Sequence, residues 1–374
     1  MPPTPRFLTG TRKGLFVHEK SPNNGWCVVH RAFPGIKVPM VLPDPRDGAL
    51  YAAVDHGHFG TKMHRSRDGG ATWEELPPPA WPPKPDDAPV IKDPFRQKEI
   101  PWSLEMIWSL EAGGADEPGV LWCGTIPGGL FKSPDSGATW SLGESLWNVP
   151  ERAQWAGGGY DFPGIHSICV DPRNSRRITI AISCGGVWRT EDGGHTWSLL
   201  GKGLRAEYMP PELAYDQVSQ DPHRMVACPA APDTMWIQHH NGIFRSTDGA
   251  ETWEEFKDVK PGVFGFGVAV HPNDPDTAWF APAVKDECRI PCDGKVTVTR
   301  TRDGGKTFES LGNGLPSEDA WHLIYRHCLE VDATGQRLVM GSTTGSLWVS
   351  EDSGETWTRL SAELPPVFCT RWIA

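Results

Sequence analysis

Short apolar runs alternate along the chain with polar turns rich in proline, glycine and asparagine, the pattern of antiparallel strands joined in sequence. Residues 264–308 show the unit most clearly. A run at 266–270 leads into the turn His271-Pro272-Asn273-Asp274-Pro275-Asp276, then a run at 277–280, a loop, a third run near 296–301 and a fourth strand beyond it. The same order recurs from Ile165, with a turn at 171–174 and strands at 177–183 and 186–190, and again from about Met225 with a turn at 229–233. The repeating unit is therefore a four-stranded meander.

Between the third and fourth strands of these units stands an eight-residue phrase, Ser/Thr-x-Asp-x-Gly/Ala-x-Thr-Trp/Phe. It begins at Ser66, Ser133, Thr190, Ser246, Thr301 and Ser350, at intervals of 67, 57, 56, 55 and 49 residues. That spacing suits one antiparallel blade plus its loops, not a helical repeat. The Asp carboxylate can accept turn amides, a glycine supplies positive φ, and the closing aromatic can anchor the hairpin.

Counting the blades requires the chain ends. Runs at 6–10, 14–18 and 26–30 read as three strands, with a degraded phrase at Ser21-Pro22-Asn23-Asn24-Gly25-Trp26, so the first blade lacks its innermost strand. The segment 367–373, Val-Phe-Cys-Thr-Arg-Trp-Ile, can supply it and close the ring, which removes an exposed edge. The expectation is an all-β, seven-bladed β-propeller forming one domain over residues 1–374, with six or eight blades as alternatives. The 36 prolines and 41 glycines do not signal disorder, because 18 tryptophans and regular apolar runs are interleaved with them.

A net charge of -11 and the lack of any Lys/Arg run argue against a nucleic-acid partner. The first six residues hold no apolar signal core and no segment approaches a membrane span, so the reading is a cytoplasmic protein without a membrane partner that binds a small molecule. Most of the nine cysteines fall inside predicted strands and imply no disulfide framework. Cys288 and Cys292 stand in a predicted loop and leave open a local bridge.

The repeated phrases resemble the Asp boxes of the BNR/Asp-box superfamily, whose members include sialidases, sortilin-type receptors, some plant cell-wall hydrolases and a photosystem assembly factor. The resemblance spans nearly the whole chain and extends to bacterial proteins loosely labelled BNR-repeat glycosyl hydrolases. It implies a propeller whose boxes lie on the face away from the active site. True sialidases carry an N-terminal Arg-Ile-Pro segment, whereas the one Arg-Ile-Pro here is Arg289-Ile290-Pro291, late in the chain. Sialidase activity is not expected, and fold alone does not assign a function.

Candidate chemistry collects at the other mouth, formed by the loops between blades and those between second and third strands. His56, His58, His239 and His240 fall in second-to-third loops, and His166, His223, His322 and His327 at or just before innermost strands. Counting back five residues from Asp171, Cys228 and Asp332 gives His166, His223 and His327, one imidazole at an equivalent position in three blades. Three neutral imidazoles around a channel make a candidate site for Zn²⁺ or Fe²⁺. A metal-free polar pocket and separate structural roles remain open alternatives. Glu287, Tyr325 and Asp161 are candidate proton donors or acceptors, and His56, His58, His239, His240, Arg224, Lys285 and Arg326 candidate substrate contacts.

A proline-rich insert at 77–101, with Trp81, is expected to fold over this mouth. Gly157-Gly158-Gly159 and Cys184-Gly185-Gly186 read as tight turns near the channel; no Gly-Lys-Ser/Thr phosphate loop and no Gly-x-Ser-x-Gly elbow occurs. The reading this supports is a small-molecule propeller acting as a metal-assisted hydrolase or lyase. A non-catalytic binding or assembly propeller and a metal-free glycosidase are the alternatives.

Overall fold

Each unit of four strands folds into its own antiparallel sheet, and in the computed structural model, described for residues 4–23 and 25–373, seven such sheets form the propeller. Met1, Pro2, Pro3 and Asn24 of the degraded phrase lie outside the described residues. Blade 1 is built from Val367–Ile373, Arg6–Thr11, Gly14–Ser21 and Gly25–Ala32. Blades 2 to 7 follow in chain order, their innermost strands being Lys37–Pro43, Met106–Ala112, Ile165–Asp171, Pro222–Cys228, Gly265–Val270 and Leu329–Val331. Most of these inner strands are largely buried, because both faces pack on neighbouring blades; Gly265–Val270, for example, is buried at all six positions. Outermost strands are more exposed and, apart from Gly25–Ala32 of blade 1, short, as in Glu74–Leu76 and Glu254–Phe256.

Ring closure is made by the chain ends. Val367–Ile373 pairs antiparallel with Arg6–Thr11, from Arg6 opposite Ile373 to Thr11 opposite Val367, with a register shift at Gly10. The Thr370 amide donates to the carbonyl of His327 at 2.8 Å, which ties blade 1 to blade 7. Gly10 is required by a close approach: a Cβ there would meet the Val38 carbonyl at 2.6 Å and Cys369 Sγ at 2.7 Å.

The six repeated phrases adopt one hydrogen-bonded turn. In each, the leading Ser or Thr hydroxyl donates to the Asp Oδ1, at 2.8 Å in Ser66–Asp68 and 3.0 Å in Thr301–Asp303. It accepts the amide four residues on, as Gly70 N does to Ser66 Oγ at 2.8 Å. The other carboxylate oxygen takes the Thr hydroxyl, at 2.6 Å in Thr72–Asp68 and 2.7 Å in Thr196–Asp192. The turn needs positive φ at its end, which Gly70, Gly194, Gly305 and Gly354 provide.

These bonds favour the ionised carboxylate and hold Asp303 at about 2, below the ordinary 3.8, first through the Thr307 hydroxyl and then the Thr307 amide. Asp68 and Asp192 are lowered by the same Thr contacts. A depressed folded value contributes stability that is present above the unfolded value and is lost as pH falls through the folded one. The melting temperature is therefore expected to hold down to about pH 4 and to fall steeply toward pH 2. An Asp303→Asn variant should show a shallower fall; an identical acid profile would disprove this contribution.

The insert at 77–101 is pinned at both ends of its path. Trp81 packs edge-on to Phe131 at 4.9 Å and to Trp147 at 5.6 Å, and the buried Asp93 accepts the Gly157 amide at 2.6 Å. It thus reaches the channel mouth, with Phe95 on the rim. Cys288 and Cys292 are free thiols, and no helix among the described residues is long and apolar enough to cross a membrane.

Candidate functional site

A pocket of about 160 Å³ opens at the mouth opposite the repeated turns. Its walls come from loops of the two kinds named above: Gly157, Gly158 and Gly159 before blade 4, Cys184 within it, Tyr208 and Asp221 before blade 5, His240 within it, and Asp286 and Arg289 within blade 6. His223, Phe266 and Arg326 line it from the channel side, and Phe95 from the insert.

At one end, Asp221, His223 and His240 bring one ligand atom each within 4.8 Å of one another. Asp221 Oδ2 lies 3.5 Å from His223 Nε2 and 3.4 Å from His240 Nδ1. Its Oδ1 accepts the Cys184 amide and the Ser183 hydroxyl, both at 3.2 Å, which fixes the carboxylate. His223 Nδ1 donates to the Gly265 carbonyl at 2.6 Å. A carbonyl can only accept, so Nδ1 carries the proton and neutral His223 turns the Nε2 lone pair toward the carboxylate. Two acceptors facing each other need a proton or a cation between them.

Electrostatics agree with that geometry. Burial opposes ionisation of Asp221, yet the His223 and His240 contacts and nearby Arg326 hold it well below the usual carboxylate range. Burial lowers His223, outweighing Asp221. Burial also works against charge on His240, but the Asp221 hydrogen bond and charge raise it. Gly158 permits the cluster: a Cβ there would meet Ser183 Oγ at 2.5 Å and Asp221 Oδ2 at 3.0 Å.

Of the three equivalent-position histidines, only His223 belongs to this cluster. His166 and His327 do meet near the channel, but His327 Nε2 donates to the His166 carbonyl at 2.8 Å, and His166 Nδ1 bonds the Ser167 hydroxyl at 2.9 Å. The expected trio is corrected on this ground: a shared repeat position does not aim the rings at one point, and His327 Nε2 is already used.

The other candidates divide in the same way. His240 and Arg326 line the pocket. His239 is buried, pushed down to about 3 by desolvation, with its ring nitrogens against the amides of Asp221 and Asn241 at 3.1 Å. Arg224 lies in the channel, donating to the His166 carbonyl at 3.1 Å. His56 and His58 stand on the predicted loop but at blade 2, away from these walls. Lys285 and Glu287 pair with each other at 3.2 Å on the surface, and it is Asp286 between them that faces the pocket. Asp161 pairs with Lys98 at 2.6 Å in solvent, and Tyr325 stacks on Phe368. None of Glu287, Asp161 and Tyr325 lines the pocket. Asp221 was missed, although its spacing to His223, Asp-x-His at the entry to an innermost strand, was a readable signal.

No protein-family model matches the chain. It is 27% identical over 223 residues, 52% of its length, to a probable oligoxyloglucan-reducing end-specific xyloglucanase of Neosartorya fischeri, of which it covers 26%. Among solved structures, it resembles an ancestral GH74 enzyme (TM-score 0.57, 17% identity, 90% of this chain and 38% of that one). It also resembles the periplasmic gluconolactonase PpgL of Pseudomonas aeruginosa (TM-score 0.57, 11% identity, 100% and 99%). The chain thus spans about a quarter of the curated relative's length, and at these identities the structural likenesses show a shared propeller fold.

Proposed function

We propose that this propeller is a hydrolase of a small, hydroxylated, carbohydrate-like molecule, using a divalent cation, Zn²⁺ or Fe²⁺, held by Asp221, His223 and His240. The observation that carries the reading is the His223 Nε2 lone pair facing the Asp221 carboxylate at 3.5 Å, with Nδ1 fixed on Gly265. Two imidazoles and one carboxylate form a donor set suited to either ion and leave positions open for water and substrate. A bound cation there supplies the means to activate water or polarise a carbonyl. Gly265 orients His223, while the Cys184 amide and Ser183 hydroxyl orient Asp221, the outer contacts that keep ligands aimed. The xyloglucanase likeness supports a hydrolase acting on a sugar-like compound.

Chelator-treated protein titrated with Zn²⁺, Fe²⁺ and Mg²⁺ tests the reading. Uptake of one Zn²⁺ or Fe²⁺ per chain, with Mg²⁺ much weaker, is expected. Metal should also restore hydrolysis of a panel of aryl glycosides and sugar lactones; absence of stoichiometric uptake sinks the metal site.

A further inference from the structure

Arg326 lines the same pocket and is 6% exposed, yet its Nε and Nη2 are buried without any hydrogen-bond partner. The guanidinium forms no ion pair among the described residues; instead it lies between the rings of Trp108, 4.9 Å away, and Phe266, 5.1 Å away. Ring faces offset only part of what a buried cation loses with its water. Arg289 is answered by Asp286 through Nε at 3.1 Å, whereas Arg326 feels the charge of Asp221 only at longer range, with no hydrogen bond or ion pair between them. Gly159 keeps the approach open, because a Cβ there would lie 3.0 Å from Arg326 Nη2.

We infer that the pocket takes a small hydroxylated monocarboxylate, its carboxylate seated on Arg326 and its hydroxyl or carbonyl end directed at Asp221, His223 and His240. A guanidinium on the pocket wall, with unpaired N–H groups and no ion pair among the described residues, favours a small anion there over a neutral sugar. A pocket of about 160 Å³ suits a small acid. This rests on the pocket proposed above as the site, but not on the metal, since the unpaired N–H groups belong to Arg326 alone.

Glycolate, L-lactate, D-glycerate and D-glucuronate, each beside a neutral counterpart such as D-glucose for D-glucuronate, and inorganic phosphate are titrated calorimetrically into metal-loaded and chelated protein. At least one acid is expected to bind saturably and its counterpart at least tenfold more weakly. Arg326→Gln should lose at least tenfold in affinity for that acid while keeping metal uptake, and Arg326→Lys should recover part of it. Melting curves of both variants report folding; were Arg326→Gln to unfold, the comparison of Arg326→Lys with the unaltered protein decides. No acid binding, equal binding of acid and neutral partner, or preference for inorganic phosphate overturns the inference. Acid binding that depends on Arg326 in protein taking up no metal would uphold it and reject the metal reading, so the two failures are distinguishable.

Discussion

Replacing Asp221 by Asn is expected to weaken Zn²⁺ or Fe²⁺ binding by on the order of a hundredfold or more, because altering even the outer contacts of metal ligands typically costs 10–100-fold and Asp221 is the one carboxylate of the set. The substitution keeps the shape and lets the side-chain carbonyl still accept the Cys184 amide and Ser183 hydroxyl, so the fold should persist. It removes the charge that raises His240 and that a cation would meet. His327→Gln, outside the cluster, should leave metal affinity within about twofold. Metal content after dialysis, with calorimetric titration, reads both. Unchanged affinity in Asp221→Asn would reject the assignment of these ligands.

Removing residues 366–374 is expected to abolish soluble folding. The closing strand carries Val367, Cys369 and Thr370 with no exposed surface, and Trp372 packs on Phe7 at 5.2 Å and on Trp26 at 5.7 Å. Arg371 bridges Glu330 of blade 7 at 2.6 Å and Glu111 of blade 3 at 3.0 Å, so the strand also neutralises two carboxylates inside the channel. Each large buried side chain contributes about 1.5–3 kcal/mol, and total stability is only about 5–15 kcal/mol, so losing the strand, its ladder and the ion pairs exceeds the margin. The exposed Arg6–Thr11 edge would then invite aggregation. A truncated protein that stays soluble with an unchanged melting temperature would contradict the closure.

The sequence by itself pointed to seven blades, to the closing strand and to the mouth at which the pocket opens. The reason is locality: each repeated turn is made by side chains at i, i+2 and i+6 and the backbone amide at i+4, all within eight residues, and a strand missing at one terminus can be matched to one left over at the other. The alternation of strands also told which loops would share a face, and His223, His240 and Arg326 were found there. Which side chains meet was decided only by the tertiary structure. His166, His223 and His327 stand at equivalent repeat positions in three blades, but the ring directions of His223 and His327 depend on partners from other blades, Gly265 for His223 and the His166 carbonyl for His327. In the loop at 285–287 the backbone turns Asp286 inward and leaves Lys285 and Glu287 to pair in solvent, a choice no composition reveals. The partnerless N–H groups of Arg326 are of the same kind: the residue is visible in the sequence, whereas the lack of a hydrogen-bond partner exists only once seven blades have closed around it.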